Sequence, residues 1–272
     1  MVGVEAALKE SFQLYKGAGL AVSLVLVLAF QLLFPNRLTI RTLARNWKVN
    51  VPLAAVDTAL VSLLCGACVC TWAATVRERG GGGLFEAAAL PYWSQVAVTV
   101  ALLDLVAYVW HRANHRWAWL WRFHAVHHSD VTFDASTAFR FHPGELLISI
   151  GVRLAVVTVT GLPILGLIAF EVIYGLANLF VHSDIRIPAV WEQRLASVVV
   201  TPSLHRAHHS ERPEIHNTNF GTILSLWDRL AGTLLGGSHA DTSITLGLPG
   251  QHGRVYGLGE ALRLPLRSPV RE

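Results

Sequence analysis

The residues with the clearest chemical potential in this chain are its histidines. There are 13 of them among 272 residues, and none precedes residue 111. Eight fall into three short motifs, one H-x-x-x-H and two H-x-x-H-H, called here the first, second and third histidine boxes. Two H-x-x-H-H motifs are not expected by chance at this histidine frequency. The boxes consist of His111 and His115, then His124, His127 and His128, then His205, His208 and His209.

The spacing within the boxes suits metal binding. Positions i, i+3 and i+4 share one face of an α-helix, so each box directs two or three imidazoles the same way. Imidazole is a common ligand of iron, zinc and copper. A single zinc ion takes three or four protein ligands, which is fewer than the boxes offer. The spacing therefore predicts a centre of two metal ions.

Two single histidines join this prediction because of where they stand. His142 and His182 flank a long apolar stretch, 146–181, and are expected at the same level as the boxes. We predict both as further metal ligands. The three remaining histidines are expected to be incidental, and these are His216, His239 and His252.

Apolar blocks indicate how the boxes are held. Hydrophobic residues make up 53% of the chain and charged residues only 15%, against roughly 25% charged in soluble domains. Three blocks, 17–34, 51–76 and 91–110, reach or approach the ~20 residues that a helix needs to cross a bilayer. The fourth, 146–181, is interrupted by Gly161-Leu162-Pro163. It predicts a tight helical hairpin, either spanning or partly re-entrant.

The charged loops indicate which side the boxes face. The loop after the first block carries Arg37, Arg41, Arg45 and Lys48 without an acidic residue, which places it in the cytosol by the positive-inside rule. The third span then returns to the cytosol at His111, and the hairpin goes out and comes back. We predict an all-α integral membrane protein with three single-span helices, a short helical hairpin, and a cytosolic helical cap carrying the boxes.

Acidic residues near the boxes are candidate partners of the ligand rings, because metal-bound imidazoles usually donate their second N–H to a carboxylate or a carbonyl. For Asp104, two helical turns before His111, a helix–helix hydrogen bond is an equal alternative. Asp104 is the first candidate, and the weaker ones, which flank the boxes, are Asp130, Asp134, Glu145, Asp184 and Asp228.

Tryptophans and cysteines have simpler expected roles. Trp117, Trp119, Trp121 and Trp227 are expected at the bilayer interface, with lining of a lipid entry path as the alternative. The three cysteines lie within the second block in a C-x-x-C-x-C pattern. Cysteine at that depth usually packs as a small apolar residue, and a zinc site would need more ligands there. They are Cys65, Cys68 and Cys70.

The ordered boxes, set among apolar spans, resemble the fatty acid hydroxylase/sterol desaturase superfamily. The resemblance covers about 101–233, through the segments DLVAYVWHRANH, LWRFHAVHHSD, TAFRFHPGE, NLFVHSD, TPSLHRAHHS and NTNFG followed by WDRLAGT. It implies a membrane-bound di-iron oxidase that uses O2 to hydroxylate or desaturate a lipid C–H bond. Electrons would come from a separate cytochrome or ferredoxin. Zinc is the alternative metal, because some relatives are isolated with two zinc ions.

Three positions depart from the family pattern. Asn178 stands where some members have a further histidine, which would leave one metal with a more open shell. Asn217 replaces an acidic residue before the NFG element, and Ala231 replaces a phenylalanine. The last change is expected to affect packing alone.

The resemblance also divides the chain into regions. Residues 1–92 are predicted as a membrane anchor of two transmembrane helices, 93–236 as the hydroxylase-type catalytic region, and 237–272 as a C-terminal surface tail. The expected location is a bacterial inner membrane or the endoplasmic reticulum. Basic residues lie beside the apolar blocks rather than in a patch with aromatics, so nucleic acid is not an expected partner.

One function of a different class stays open, namely a histidine-rich membrane metal transporter or metal-binding protein. A transporter should place its ligands near the middle of its spans. The boxes lie instead at the ends of apolar blocks, which favours the oxidase. The ligand types do not distinguish hydroxylation from desaturation, nor do they identify the lipid.

Overall fold

The described part of the chain is built from helices. The computed structural model describes residues 2–37, 39–64, 68–79, 83–235, 244–251 and 253–267, so Cys65, His239 and His252 lie outside it. Within those ranges there are three isolated β-bridges and no β-strand, and the all-α prediction is confirmed. The helices are α1 (Val2–Leu33), α2 (Ile40–Leu64), α3 (Cys68–Glu78), α4 (Gly83–Ala87), α5 (Tyr92–Arg116), α6 (Ala118–His128), α7 (Pro143–Thr160), α8 (Ile164–Val181), α9 (Ala189–Ala196), α10 (Pro202–His208), α11 (Pro213–His216), α12 (Leu226–Leu230) and α13 (Leu258–Arg263).

Several helical segments are long and apolar enough to cross a bilayer. Five such segments occur in the part of the chain that was described, judged by length and composition. A helix of 18 residues is about 27 Å long, close to the hydrocarbon thickness of a membrane. The segments are Glu10–Leu33, Ile40–Ala87, Tyr92–Arg116, Pro143–Thr160 and Ile164–Val181.

A tight turn joins α7 to α8, as the sequence predicts. Helix α7 ends at Gly161, whose φ of 62° and ψ of 37° lie in the left-handed region that favours glycine. Pro163 then begins α8 from an extended conformation. Arg77 of α3 donates to the carbonyl oxygen of Gly161 at 2.8 Å. The turn therefore lies against the end of α3.

The opposite end of the bundle holds the boxes. The backbone N–H of Asn36, just after α1, donates to the carbonyl oxygen of Asp184, just after α8, at 2.9 Å. The backbone N–H of Arg186 donates to the carbonyl oxygen of Phe34 at 2.8 Å. Because His182 ends α8, the loop after α1 lies at the histidine end of the helices.

Helix α2 supports this end with a buried polar face. Asn46 donates to Asp134 at 2.6 Å, and Asn50 donates to Asp130 at 3.2 Å and to Ser136 at 2.9 Å. All these contacts fix the loop between the second box and α7. The N-terminal region, predicted as an anchor, thus also positions the loop that follows the second box.

The described part of the C-terminal segment packs against α2 and α6, although a surface tail was predicted for it. Leu248, Tyr256 and Leu264 are buried in one apolar cluster with Trp121 of α6 and Leu53 of α2. The cluster covers the outer side of the second box.

A second apolar cluster fills the membrane-length part of the bundle. Phe12, Leu103, Val157 and Phe170 are buried in it, and they come from α1, α5, α7 and α8. Cys70 belongs to the same cluster and is 1% exposed, as the packing interpretation of the cysteines predicts.

Candidate metal centre

In the part of the chain that the structure describes, nine histidines come together in two adjacent groups. Each member of a group contributes one ring nitrogen, these nitrogens all lie within 4.8 Å of one another, and all nine residues are buried. The larger group combines all three boxes. The smaller group adds His182 to members of the second and third boxes. The five-histidine group is His111, His115, His124, His128 and His208, and the four-histidine group is His127, His182, His205 and His209.

The closest ring nitrogens fit binding to a shared ion. The Nε2 atoms of His111 and His208 are 2.9 Å apart. In the smaller group, Nε2 of His182 lies 3.1 Å from that of His127 and 3.0 Å from that of His205. Two nitrogens that bind one ion at about 2.1 Å and at a right angle are separated by about 3.0 Å. Each group therefore has the dimensions of one metal site.

Backbone carbonyl oxygens hold the opposite edges of several of these rings. The Nδ1 atom of His111 contacts the oxygen of Phe220, that of His208 the oxygen of Thr218, and each distance is 2.7 Å. His182 contacts the oxygen of Asn178, again at 2.7 Å. A carbonyl oxygen can only accept, so Nδ1 carries the proton. The lone pair on Nε2 then points into the centre, as metal binding requires.

Other ring nitrogens are buried without a hydrogen-bond partner in the described ranges. Both nitrogens of His115, His128 and His209 are in this position, together with Nδ1 of His205 and Nε2 of His124. Buried polar atoms are rarely left unsatisfied, because the lost hydration costs free energy. A metal ion bound by one nitrogen of each ring would satisfy that nitrogen in His115, His124, His128 and His209.

The environment keeps the rings in the uncharged form that binds metal. The pKa values of His128, His205 and His209 lie well below the usual range for histidine. Burial is the largest cause, and repulsion from neighbouring histidines is the next. Burial also lowers the pKa of His182 to about 4. Metal ligation needs a neutral imidazole, so the centre does not have to release protons from these rings near neutral pH.

A carboxylate from α7 holds one ring of the second box. Glu145 is buried, and its Oε1 lies 2.9 Å from Nδ1 of His124. Asn114, between the two histidines of the first box, donates to the same oxygen at 3.1 Å. Oε2 of Glu145 is buried without a hydrogen-bond partner in the described ranges. Glu145, a weaker candidate from sequence, directly contacts a ligand ring.

Asp228 acts on the first box through a turn. Its carboxylate accepts from the backbone N–H groups of Phe220 and Gly221, at 2.9 and 2.8 Å, and from Thr233 at 2.7 Å. Phe220 is the residue whose carbonyl oxygen contacts His111. The NFG element therefore orients a ligand by its backbone, and Asp228 fixes that backbone.

The other acidic candidates stabilise surrounding loops. Asp104 accepts from the backbone of Ile223 and Leu224 and from Trp227 Nε1, which at 2.7 Å is the shortest of the three contacts. Asp130 accepts from Asn50 and from Thr137. Asp104 thus forms the helix–helix hydrogen bond that was its alternative role, between α5 and α12. Asp130 supports the loop after the second box, and neither residue contacts a ligand ring in the described ranges.

Asp184 also stabilises a support. Its carboxylate pairs with Arg206, which lies within the third box, and accepts from the backbone N–H of Arg37 at 2.6 Å. This buried pair ties the turn after α8 to α10, so that His182 and His205 are held next to each other.

His142 is the one sequence-predicted ligand that the structure does not bring to either group. Its Nδ1 accepts from the backbone N–H of Gly144 at 3.0 Å, which caps α7, and its Nε2 lies 3.3 Å from the carbonyl oxygen of Leu262. His142 lies at the start of α7, at the end of the bundle that holds the boxes, as predicted. Its ring, however, faces the C-terminal segment.

Two residues beside the centre were assigned elsewhere from the sequence. His216, expected to be incidental, is fully buried, and its ring centroid lies 4.8 Å from that of His115 and 5.2 Å from that of His128. Trp121, expected at the bilayer interface, is buried against His115 and His216 at 5.0 and 4.9 Å. Trp117 and Trp119 are exposed, in keeping with an interfacial position.

An internal chamber of about 250 Å³ opens beside the two groups. His111, His124, His127, His182 and His205 contribute to its wall at one end. Asn178 also lines it, and its side-chain amide donates to the carbonyl oxygen of Ala138 at 3.1 Å. The apolar walls come from α5, α7 and α8, so the chamber leads from the histidines into the membrane-length part of the bundle.

These features define a class of protein, a helical membrane protein with a buried polyhistidine centre at one end and an apolar chamber beside it. The chain belongs to the fatty acid hydroxylase family, whose sequence profile matches residues 96–233. The match begins within α5 and extends past the NFG turn. It therefore contains every histidine of the two groups.

Individual relatives share the same region. The chain is 31% identical over 143 residues to an ornithine lipid hydroxylase of Rhizobium tropici, covering 53% of this chain and 42% of that protein. It is 29% identical over 143 residues to an alkylglycerol monooxygenase of Danio rerio, covering 48% and 28%. It is 31% identical over 141 residues to the cholesterol 25-hydroxylase of Homo sapiens, covering 49% and 48%. The match spans less than half the length of each relative, and no solved structure matches the chain.

Proposed function

We propose that the protein is a membrane-bound lipid hydroxylase that depends on O2 and on a centre of two iron ions. The observation that carries the proposal is the pair of buried histidine groups, in which nine ring nitrogens converge beside an apolar chamber. The relatives described above are hydroxylases and monooxygenases, which favours hydroxylation over desaturation for this chain. Zinc is the alternative metal content.

The centre would supply the oxidising chemistry that side chains lack. Iron, when bound, activates O2 for attack on an unactivated C–H bond. In the balanced reaction, the lipid C–H, O2, two electrons and two protons give the alcohol and one water. The electrons would come from a separate redox protein of the cytochrome or ferredoxin class.

The residues of this chain would hold the ions and position the lipid. The five-histidine group would bind one ion and the four-histidine group the other. Phe220, Thr218 and Asn178 keep Nε2 of their histidine partners directed inward through carbonyl contacts. Glu145 does the same for His124. The apolar chamber would exclude water from the reacting carbon and accept an alkyl chain.

We further propose that this end of the bundle faces the cytosol of a bacterial inner membrane or of the endoplasmic reticulum. The basic segment that begins after α1 supports this orientation. Its loop lies at the histidine end, and the segment, which continues into the first turns of α2, carries four cations without an acidic residue. A cytosolic centre would be accessible to soluble electron donors.

The test compares wild-type protein with the His127→Ala variant in lipidomic profiles of expressing cells, together with metal analysis of the purified proteins. The proposal expects a lipid that gains oxygen only with the wild type, and about two iron ions per wild-type chain. Fully metallated wild-type protein with an unchanged lipid profile would contradict it. Metal flux into liposomes without lipid oxidation would instead indicate a transporter.

A further inference from the structure

The far end of the chamber carries a charge inside the membrane-length part of the bundle. Arg153 of α7 lines the chamber there, together with Phe170 and Tyr174 of α8. Arg153 is ten residues beyond the start of α7 at Pro143, which is about 15 Å along the helix. That depth is half of a ~30 Å hydrocarbon core. Ionisable residues at such depth are costly and commonly mark a ligand site.

Arg153 belongs to a triad of two partly exposed cations around one buried carboxylate. One oxygen of Glu171 pairs with Nη1 of Arg153, and the other lies 2.9 Å from Nζ of Lys16 of α1. Two cations therefore share one carboxylate. The three residues come from three different helices, so the charges are held together by the fold rather than by local sequence.

The guanidinium of Arg153 retains unused donors. It has five N–H groups, and in the described ranges Glu171 is its one hydrogen-bond acceptor. Its face lies 5.7 Å from the ring centre of Phe170. The remaining charged member of the chamber wall, apart from histidines, is Glu145 at the near end, which is engaged by His124 and Asn114. Glu145 lies eight residues before Arg153 on α7, about 12 Å along the helix, so no carboxylate of the chamber wall lies beside the unused donors of Arg153.

We propose that Arg153 binds an anionic oxygen, of a carboxylate or a phosphate, on the lipid substrate. This inference rests on the proposed function, because it assumes that the chamber holds the lipid to be oxidised. A charge-assisted hydrogen bond in an apolar chamber would use the free donors of this partly buried cation and fix the depth of the lipid. Arg153 is then a specificity-determining residue at the opposite end of the chamber from the histidines.

The position of Arg153 also restricts which carbon reaches the centre. Glu145 and Arg153 are eight residues apart on α7, or about 12 Å, and Glu171 and His182 are eleven apart on α8, or about 16 Å. With carbon–carbon bonds of about 1.5 Å, at least roughly eight bonds are needed to span 12 Å. The hydroxylated carbon is therefore remote from the anionic group rather than adjacent to it.

Binding can be measured without turnover, so that this inference is tested separately from the reaction. Full-length protein in nanodiscs of zwitterionic lipid, without reductant, is titrated with radiolabelled palmitate, and methyl palmitate and hexadecyl phosphate serve as competitors. Wild-type protein should prefer palmitate, hexadecyl phosphate or both to the ester by about 10-fold or more. The stronger of the two acids identifies the anionic group.

Variants assign that preference to the arginine. Arg153→Met should bind the acids as weakly as the ester, with ester binding unchanged, and Arg153→Lys should keep part of the preference. Arg194→Met, which alters an exposed arginine of α9, should behave as wild type. If Arg153→Met does not fold, Arg153→Met combined with Glu171→Gln removes both members of the pair and should show the same loss.

Equal binding of acid and ester by the wild type, or an intact preference in the Arg153→Met variant, would overturn the inference. A clear acid preference in protein that oxidises no lipid would sustain the binding site while contradicting the proposed function. Oxidation of an uncharged lipid by protein with no acid preference would support the proposed function and contradict the binding site at Arg153.

Discussion

Glu145 and His124 form a direct contact of 2.9 Å between a buried carboxylate oxygen and the outer nitrogen of a ligand ring. The two residues are 21 positions apart, at the start of α7 and within α6. The contact places the proton on Nδ1 and leaves Nε2 of His124 for the centre.

Replacement of this carboxylate should weaken metal binding. The Glu145→Ala variant leaves the His124 ring without its anchor, and loss of such partners typically costs 10–100-fold in metal affinity. Competition with a chelator of known affinity measures the loss. The matched control is Glu214→Gln, at an exposed carboxylate paired with Arg212, which should retain the wild-type affinity. Unchanged affinity in Glu145→Ala would mean that this contact does not support the centre.

The two groups should be separable by mutation. His128→Ala removes a member of the five-histidine group and His209→Ala removes a member of the four-histidine group. Each variant should fall from about two metal ions per chain towards one, which elemental analysis of purified protein can measure. Retention of both ions in the two variants would count against two separate sites.

His142 provides the contrast for that experiment. Because its ring caps α7 and lies outside both groups, His142→Ala should keep both metal ions. The lost cap should lower the unfolding temperature by no more than about 4 °C. Loss of an ion in this variant would restore the sequence-based prediction that His142 is a ligand.

The NFG turn should not tolerate a side chain at its glycine. A Cβ atom at Gly221 would lie 2.8 Å from the carbonyl oxygen of Leu224 and 3.0 Å from Asp228, so the turn must shift. The carbonyl oxygen of Phe220 that holds His111 would move with it. Gly221→Ala should therefore lose metal from the five-histidine group. Gly259→Ala is the control, since no atom lies near its added Cβ, and it should be as stable as wild type or more so.

Acid should destabilise the metal-free protein. An unfolded histidine titrates near pH 6.5, whereas burial lowers the pKa of His182 to about 4 and that of His209 well below its usual range. Between these values the unfolded chain binds more protons than the folded chain, so stability falls as the pH decreases. Unfolding temperatures between pH 7.5 and 4.5 test this, and His209→Gln should show a weaker dependence. A midpoint that rises on acidification would contradict the sign.

The sequence predicted most of the centre because its information is local. Helical spacing within the boxes identified eight of the nine clustered histidines, and the interruption at Gly161-Leu162-Pro163 predicted the hairpin that brings His182 to them. Spacing predicts which residues share a helix face but not which way a neighbouring ring turns. His142 was therefore assigned to the centre from its level alone.

Residues brought in by tertiary contacts were harder to predict. Asn50 supports the loop after the second box from 80 residues away, and its block reads simply as a membrane anchor. His216 follows Pro213, which begins a new short helix, so its direction is unrelated to the periodicity of the third box. Arg153 lies in an apolar block that predicted a membrane hairpin and no binding site. Its partners Glu171 and Lys16 are on other helices, so sequence spacing did not identify them.

The central claim is tested most directly by tracing oxygen from labelled O2. Purified, iron-loaded protein is supplied with an artificial electron donor and a membrane lipid extract, and the products are analysed by mass spectrometry beside those of His127→Ala. The account predicts a lipid that gains one labelled oxygen atom with the wild type and none with the variant. Fully metallated, reduced wild-type protein that leaves every lipid unlabelled would contradict it.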